Sequence, residues 1–96
     1  MRKITQQASA AFHNFTPFSL DNTQVRISEN GCHAELILHG SVIARNIGGL
    51  VSITNAGWCT NTTKERLNGL RGVSIYQKAG VWYLNGNEWE GDWTTV

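Results

Sequence analysis

Charge is scarce in this chain. Asp, Glu, Lys and Arg make up 16% of its 96 residues, against about 25% in an ordinary globular protein. The formal net charge is +1, so no strong field steers the whole molecule toward a phosphate backbone or an anionic membrane. Proline occurs once, which excludes a Pro-rich linker. The two cysteines, Cys32 and Cys59, form no Cys-x-x-Cys pair, and without an export signal the expected state is two reduced thiols. No apolar run approaches the ~20 residues of a membrane span. The start, Met1-Arg2-Lys3-Ile4-Thr5-Gln6-Gln7, has basic residues with no apolar stretch behind them, unlike a secretory signal. These absences predict one domain over 1–96, located in the cytoplasm and away from membranes. Its surface must be finished with Asn, Thr, Ser, Gln and Gly.

What is present is concentrated late in the chain. All four tryptophans and both tyrosines follow residue 57. A domain this short buries roughly two thirds of its unfolded surface, so four indoles exceed what its interior readily holds. With Trp82 and one more inside, Trp89 or Trp93 is left at the surface.

Ile4, Ala8, Ala11, Phe12 and Phe15 recur at helical spacing, which predicts a helix over 5–14 with Thr5 as N-cap. Pro17 stops it, because the residue before a proline avoids the helical region. Four strands follow at 24–28, 34–38, 41–45 and 50–54. Asn30-Gly31 is expected to make a type I′ turn, His39-Gly40 a weaker one. The spacing is that of an antiparallel meander. Thr62-Thr63-Lys64-Glu65 fits a capping box with Thr62 at N-cap, opening a helix over 63–69 that Gly69 and Gly72 close. Strands at 73–77, 81–84 and 87–89 complete the chain, the last two joined by Asn85-Gly86. The fold class is α+β: an antiparallel sheet built from a four-strand meander and a C-terminal three-strand unit, with two helices packed on it. The expected core is Phe12, Ile27, Leu36, Leu38, Ile43, Ile53, Leu67, Ile75, Trp82 and Leu84.

The strings Gly57 to Asn68, containing Thr62-Thr63-Lys64-Glu65-Arg66-Leu67-Asn68, and Gly72 to Trp93, containing Gly80-Val81-Trp82-Tyr83-Leu84-Asn85-Gly86, resemble a group of small proteins of tailed bacteriophages. Lys3-Ile4-Thr5-Gln6-Gln7-Ala8, Ala11-Phe12 and Leu38-His39-Gly40 look like the same group. The resemblance covers most of the chain and is looser from Val25 to Ala34. It implies phage or prophage origin and expression in a bacterial cytoplasm. It carries over no activity residue by residue.

Chemistry-bearing constellations are thin. Cys32, His33, His39 and Cys59 lack the close pairing of a zinc site. Cys59 stands near a helix N-terminus, but no base is placed beside it to activate it as a nucleophile. Glu88 and Glu90 fall on one strand face, where carboxylates usually form a solvated edge. No phosphate-loop string occurs. The expectation is therefore a protein without enzymatic activity, metal or cofactor. Trp, Tyr and Arg dominate interface hot spots, and a weakly charged surface suits desolvation. Trp58, Asn61, Lys64, Arg66, Arg71, Tyr76 and Trp89 are the candidate partner-binding residues. The partner expected is a host protein or nucleoprotein machine, inhibited by steric occlusion; an anti-defence inhibitor of a CRISPR effector complex is the leading form. Lys64, Arg66, Arg71 and Lys78 lie within fifteen residues, and with Tyr83 they sustain a second reading, a small nucleic-acid-binding module. A homodimer built through a strand edge is compatible with either.

Overall fold

The computed structural model of the protein describes residues 2–96. It opens with helix α1 (Lys3–His13), whose buried stripe is Ile4, Thr5, Ala8, Ala11 and Phe12. The helix begins two residues before the expected start. Its N-cap is Arg2, with no side-chain cap. Thr5 is instead an interior position and is buried, because its hydroxyl serves a tertiary contact described below. The C-cap is Asn14, and Phe15 turns the chain away with φ of 53°, so the helix ends before Pro17 can act.

Strands β1 (Phe18–Leu20), β2 (Thr23–Ile27), β3 (His33–Leu38), β4 (Ser41–Ile47) and β5 (Leu50–Ile53) form a continuous antiparallel meander. Helix α2 (Asn61–Asn68) follows, then β6 (Ile75–Lys78), β7 (Val81–Leu84) and β8 (Asn87–Glu88), and finally β9 (Thr94–Thr95). The order is β1-β2-β3-β4-β5-β9 in one six-stranded sheet and β6-β7-β8 in a separate three-stranded sheet. The α+β class holds, with two sheets where one was expected. Strands β1, three residues, and β9, two polar residues, are too short to show an alternation of their own.

The turns differ in detail from expectation. Gly31 has positive φ but Asn30 does not; the Asn30 side chain instead accepts from Cys32 N at 3.0 Å and from Ser28 Oγ at 2.6 Å. That arrangement is a longer loop, not a two-residue hairpin. In the hairpin turns His39-Gly40, Gly48-Gly49, Ala79-Gly80 and Asn85-Gly86, both residues take positive φ, the geometry that matches the twist of flanking strands.

Helix α2 starts at Asn61 with Thr60 as N-cap, whose hydroxyl accepts from Thr63 N at 3.2 Å. The expected capping box of Thr62 and Glu65 does not form, because Glu65 is drawn into another contact. Gly69 is right-handed, φ −74°. It is needed for space: a Cβ there would collide with the Thr5 methyl where α1 crosses α2.

One face of the six-stranded sheet carries the core. Val25, Leu36, Ala44 and Ile53 lie side by side across four strands and pack with Ala8, Ala11, Phe12, Leu67, Ile75, Trp82, Leu84 and Trp89. Both helices and the small sheet therefore share this side. Of the expected core, Ile27 is only partly buried, at the rim. Phe12 is fully enclosed, a burial worth roughly 1.5–3 kcal/mol.

At the centre of the assembly is a cation. Arg66 is 2% exposed. Its Nε donates to Thr23 Oγ1 at 3.0 Å, and one terminal nitrogen donates to Thr5 Oγ1 at 2.9 Å and to Glu65 Oε1 at 2.6 Å. Thr5 donates in turn to Glu65. Removing one partner of a buried pair costs about 3–5 kcal/mol, and here it also takes a donor from two buried hydroxyls. Arg66→Ala is expected to lose about that much stability, a large share of a domain's total. Urea denaturation followed by tryptophan fluorescence reads it; a loss under about 1 kcal/mol would contradict this role.

Candidate functional site

The four tryptophans divide evenly. Trp82 and Trp89 are buried with ring centroids 6.3 Å apart, while Trp58 and Trp93 are 54% and 42% exposed. Trp89 is enclosed because its Nε1 finds two acceptors, Asp92 O at 3.1 Å and Thr94 Oγ1 at 2.9 Å. An indole N–H needs such partners to go inside.

The expected partner-binding residues do not form one surface. Arg66 and Trp89 are buried and present nothing to a partner. Arg66 is held by three oxygens, and Trp89 closes the core. Trp58 and Asn61 stand together before and at the start of α2; Trp58 helps line a concavity of about 190 Å³ with His39, Thr60 and Thr62. Lys64 is half-buried, donating to Gln77 Oε1 at 3.2 Å and lying 5.6 Å from the Trp82 ring. Tyr76 is exposed and stacks on Tyr83, centroids 5.1 Å apart with planes 9° from parallel. Arg71 is exposed beyond the end of α2, beside α1, where its backbone N donates to His13 Nε2 at 3.1 Å. The five residues of the nucleic-acid reading are scattered likewise. Lys78 and Tyr83 share the outer face of the small sheet with Tyr76, but Lys64 contacts residues of the opposite face, Arg71 lies beside α1, and Arg66 is enclosed. Glu88, opposite Tyr83, dilutes what charge remains there.

A different surface gathers the exposed apolar and cationic groups. Neither described helix packs on the second face of the six-stranded sheet. The register sets Arg26, Glu35, Arg45, Ser52 and Thr95 in one row across five strands. The next row is His33, Ile47 and Leu50. Ile47 and Leu50 are 48% and 60% exposed. The Trp93 ring lies over the Arg45 guanidinium, 4.3 Å from its centroid. Arg26, Glu35, Arg45 and Ile47 also rim a shallow concavity of about 500 Å³. Sequence reading missed this face, although alternation in Ser41–Ile47 put Arg45 and Ile47 opposite Ala44 and Asn46. The missing element was β9, whose pairing to β5 brings Trp93 onto the face.

Among the described residues, no three His, Cys, Asp or Glu side chains converge as a metal site, and both cysteines are free and exposed. No described helix is long and apolar enough to cross a membrane.

A family model described as Kyanoviridae Gp96 protein matches residues 1–95 of the chain. No curated protein and no solved structure gives a match.

The His13 contact has a pH signature. Burial, and then the nearby Arg71 charge, lower the His13 pKa from its ordinary 6.5. The unfolded chain therefore takes up this proton first as pH falls. The contribution to stability is complete above 6.5 and is lost as pH drops through the lowered folded value. Protonation also removes the lone pair that accepts from Arg71 N. The melting temperature is expected to fall between pH 7 and pH 5, and His13→Gln should flatten that slope. A rise over the same range would reverse the assignment.

Proposed function

The chain belongs to the Kyanoviridae Gp96 protein family, a tailed-phage family, and we propose that it is a non-enzymatic phage accessory protein that binds a host protein or nucleoprotein machine and inhibits it by occupying a site the machine needs. A defence complex, such as a CRISPR effector, is the target class proposed. This function rests on one observation, the open face of the six-stranded sheet. Trp93 stacked on Arg45 beside Ile47 and Leu50 puts the residue types of interface hot spots on a surface that no described helix or strand covers. Exposed apolar side chains grouped in this way mark interaction sites more often than side chains scattered singly. The body carrying them measures 41 × 25 × 20 Å, ample to obstruct a macromolecular site.

Nucleic acid is the weaker ligand. The cations proposed for it stand on different sides of the molecule, and one of them, Arg66, is 2% exposed. Stacking platforms for bases work with a groove of positive charge beside them, and Lys78 alone accompanies Tyr76 on its strand face.

Affinity capture from host lysate, with and without nuclease, tests the function. A host protein should be retained under both conditions. Leu50→Glu should reduce that capture more than about tenfold, as loss of a hot-spot contact does, while Lys78→Glu leaves it unchanged. Both positions are exposed, so circular dichroism should show intact folding. Capture lost with Lys78→Glu or with nuclease, and kept with Leu50→Glu, would favour nucleic acid instead.

A further inference from the structure

We propose that the open face receives an acidic, aliphatic segment of a partner protein, and that Arg45 binds its carboxylate. This builds on the open-face function above and names the chemistry of its partner.

The charge balance along the row carries the inference. Arg26 donates through Nε at 3.0 Å and a terminal nitrogen at 2.7 Å, both to the same oxygen of Glu35. The other Glu35 oxygen stands 3.9 Å from Arg45 Nε, outside hydrogen-bond range. One carboxylate thus faces two guanidinium groups and is engaged by the first. Arg45 keeps a charge that Glu35 does not neutralise, and its donors make no hydrogen bond among the described residues. Its side chain is 48% exposed.

Arg45 is nevertheless held in place. Trp93 lies against the guanidinium, 4.3 Å from ring centroid to its central carbon, and a contact that close limits the positions the group can take. A planar fork with free donors matches a carboxylate in two parallel bonds. Because the fork is already ordered, little freedom is lost when the carboxylate arrives. Ile47 lies two residues along the same strand, and Leu50 is opposite it. A docked aliphatic side chain would cover these two and exclude water from the ion pair, which strengthens it.

Other occupants fit less well. A nucleic-acid backbone asks for several cations in a track, and here Arg26 is occupied and the neighbouring row is apolar. A second copy of the chain would set two unneutralised Arg45 side chains on one interface, a like-charge placement that interfaces avoid.

The test is selection from a random-peptide display library on the immobilised full-length chain, followed by titration of one recovered peptide, made synthetically, against labelled protein by NMR. Enriched peptides should carry Asp or Glu beside Leu, Ile, Val or Phe. The titration should shift the amides of Arg45, Ile47, Leu50 and Ser52. Arg45→Gln should weaken that peptide at least about tenfold, the scale of a hydrogen bond to a charged group, Arg45→Lys should recover part of it, and rising salt should weaken the wild-type complex. No enrichment, enrichment without acidic residues, or equal binding to Arg45→Gln would overturn the proposal. So would shifts of the same amides by a 20-nucleotide single strand in place of the peptide. Host capture that is lost with Leu50→Glu and untouched by Arg45→Gln would leave the open-face function standing and overturn the acidic partner.

Discussion

The architecture hangs on one buried cation. Arg66 reaches from α2 to a hydroxyl on α1 and a hydroxyl on β2, and shares its charge with Glu65 on its own helix. These are the contacts by which an eight-residue helix, too short to be stable alone, becomes fixed to two distant parts of the chain. The same contacts place Thr5 inside α1 and leave room only for glycine at position 69. A charge at the centre of so small a domain must be fully matched, since burial without partners is prohibitive. Here every buried polar side chain described has one.

That network explains the main misreadings of the sequence. An arginine in a polar helix with Lys64 beside it looks like a surface cation, and Thr62 with Glu65 has the spacing of a capping box. Both inferences use local pattern alone. Whether Glu65 turns back to its own helix or across to Thr5 depends on where α1 lies, sixty positions away. Local pattern did place the meander, because Thr23–Ile27 alternates and glycine-bearing turn signals separate the apolar runs of β3, β4 and β5. It placed nine of the ten expected core side chains, Ile27 being the one at the rim. Strands of two or three residues such as β9 and β1 carry no period of their own. They exist because a neighbour offers a free edge.

The candidate surface was half legible for the same reason. The excess of indoles over interior volume was visible in composition, and two of the four are indeed outside. Which two was not visible. Trp89 and Trp93 are four residues apart in a segment of similar character. What separates them is hydrogen bonding: Trp89 Nε1 has Asp92 O and Thr94 Oγ1 within reach.

Those two bonds also tie the fold to its open face. They grip the backbone on one side of Trp93 and the side chain on the other, so the buried indole fixes the segment that displays the exposed one. Gly91 secures the same segment from behind. Its carbonyl accepts from Thr54 Oγ1 at 2.5 Å and from Asn55 N at 3.0 Å, and any larger residue would collide with the Asn55 side chain. β9 then pairs with β5 through Ser52 and Ile53, and Ser52 is the residue opposite Arg45. The return of the chain that completes the sheet thus sets Trp93 over Arg45. A ring delivered by a free tail would gain little from that stack, because an exposed cation–π contact is worth only about 0.5–1 kcal/mol, less than the cost of ordering a mobile segment. Held by Trp89, Gly91 and β9, the ring is already in position, and the stack can order the guanidinium rather than spend its energy ordering the tail.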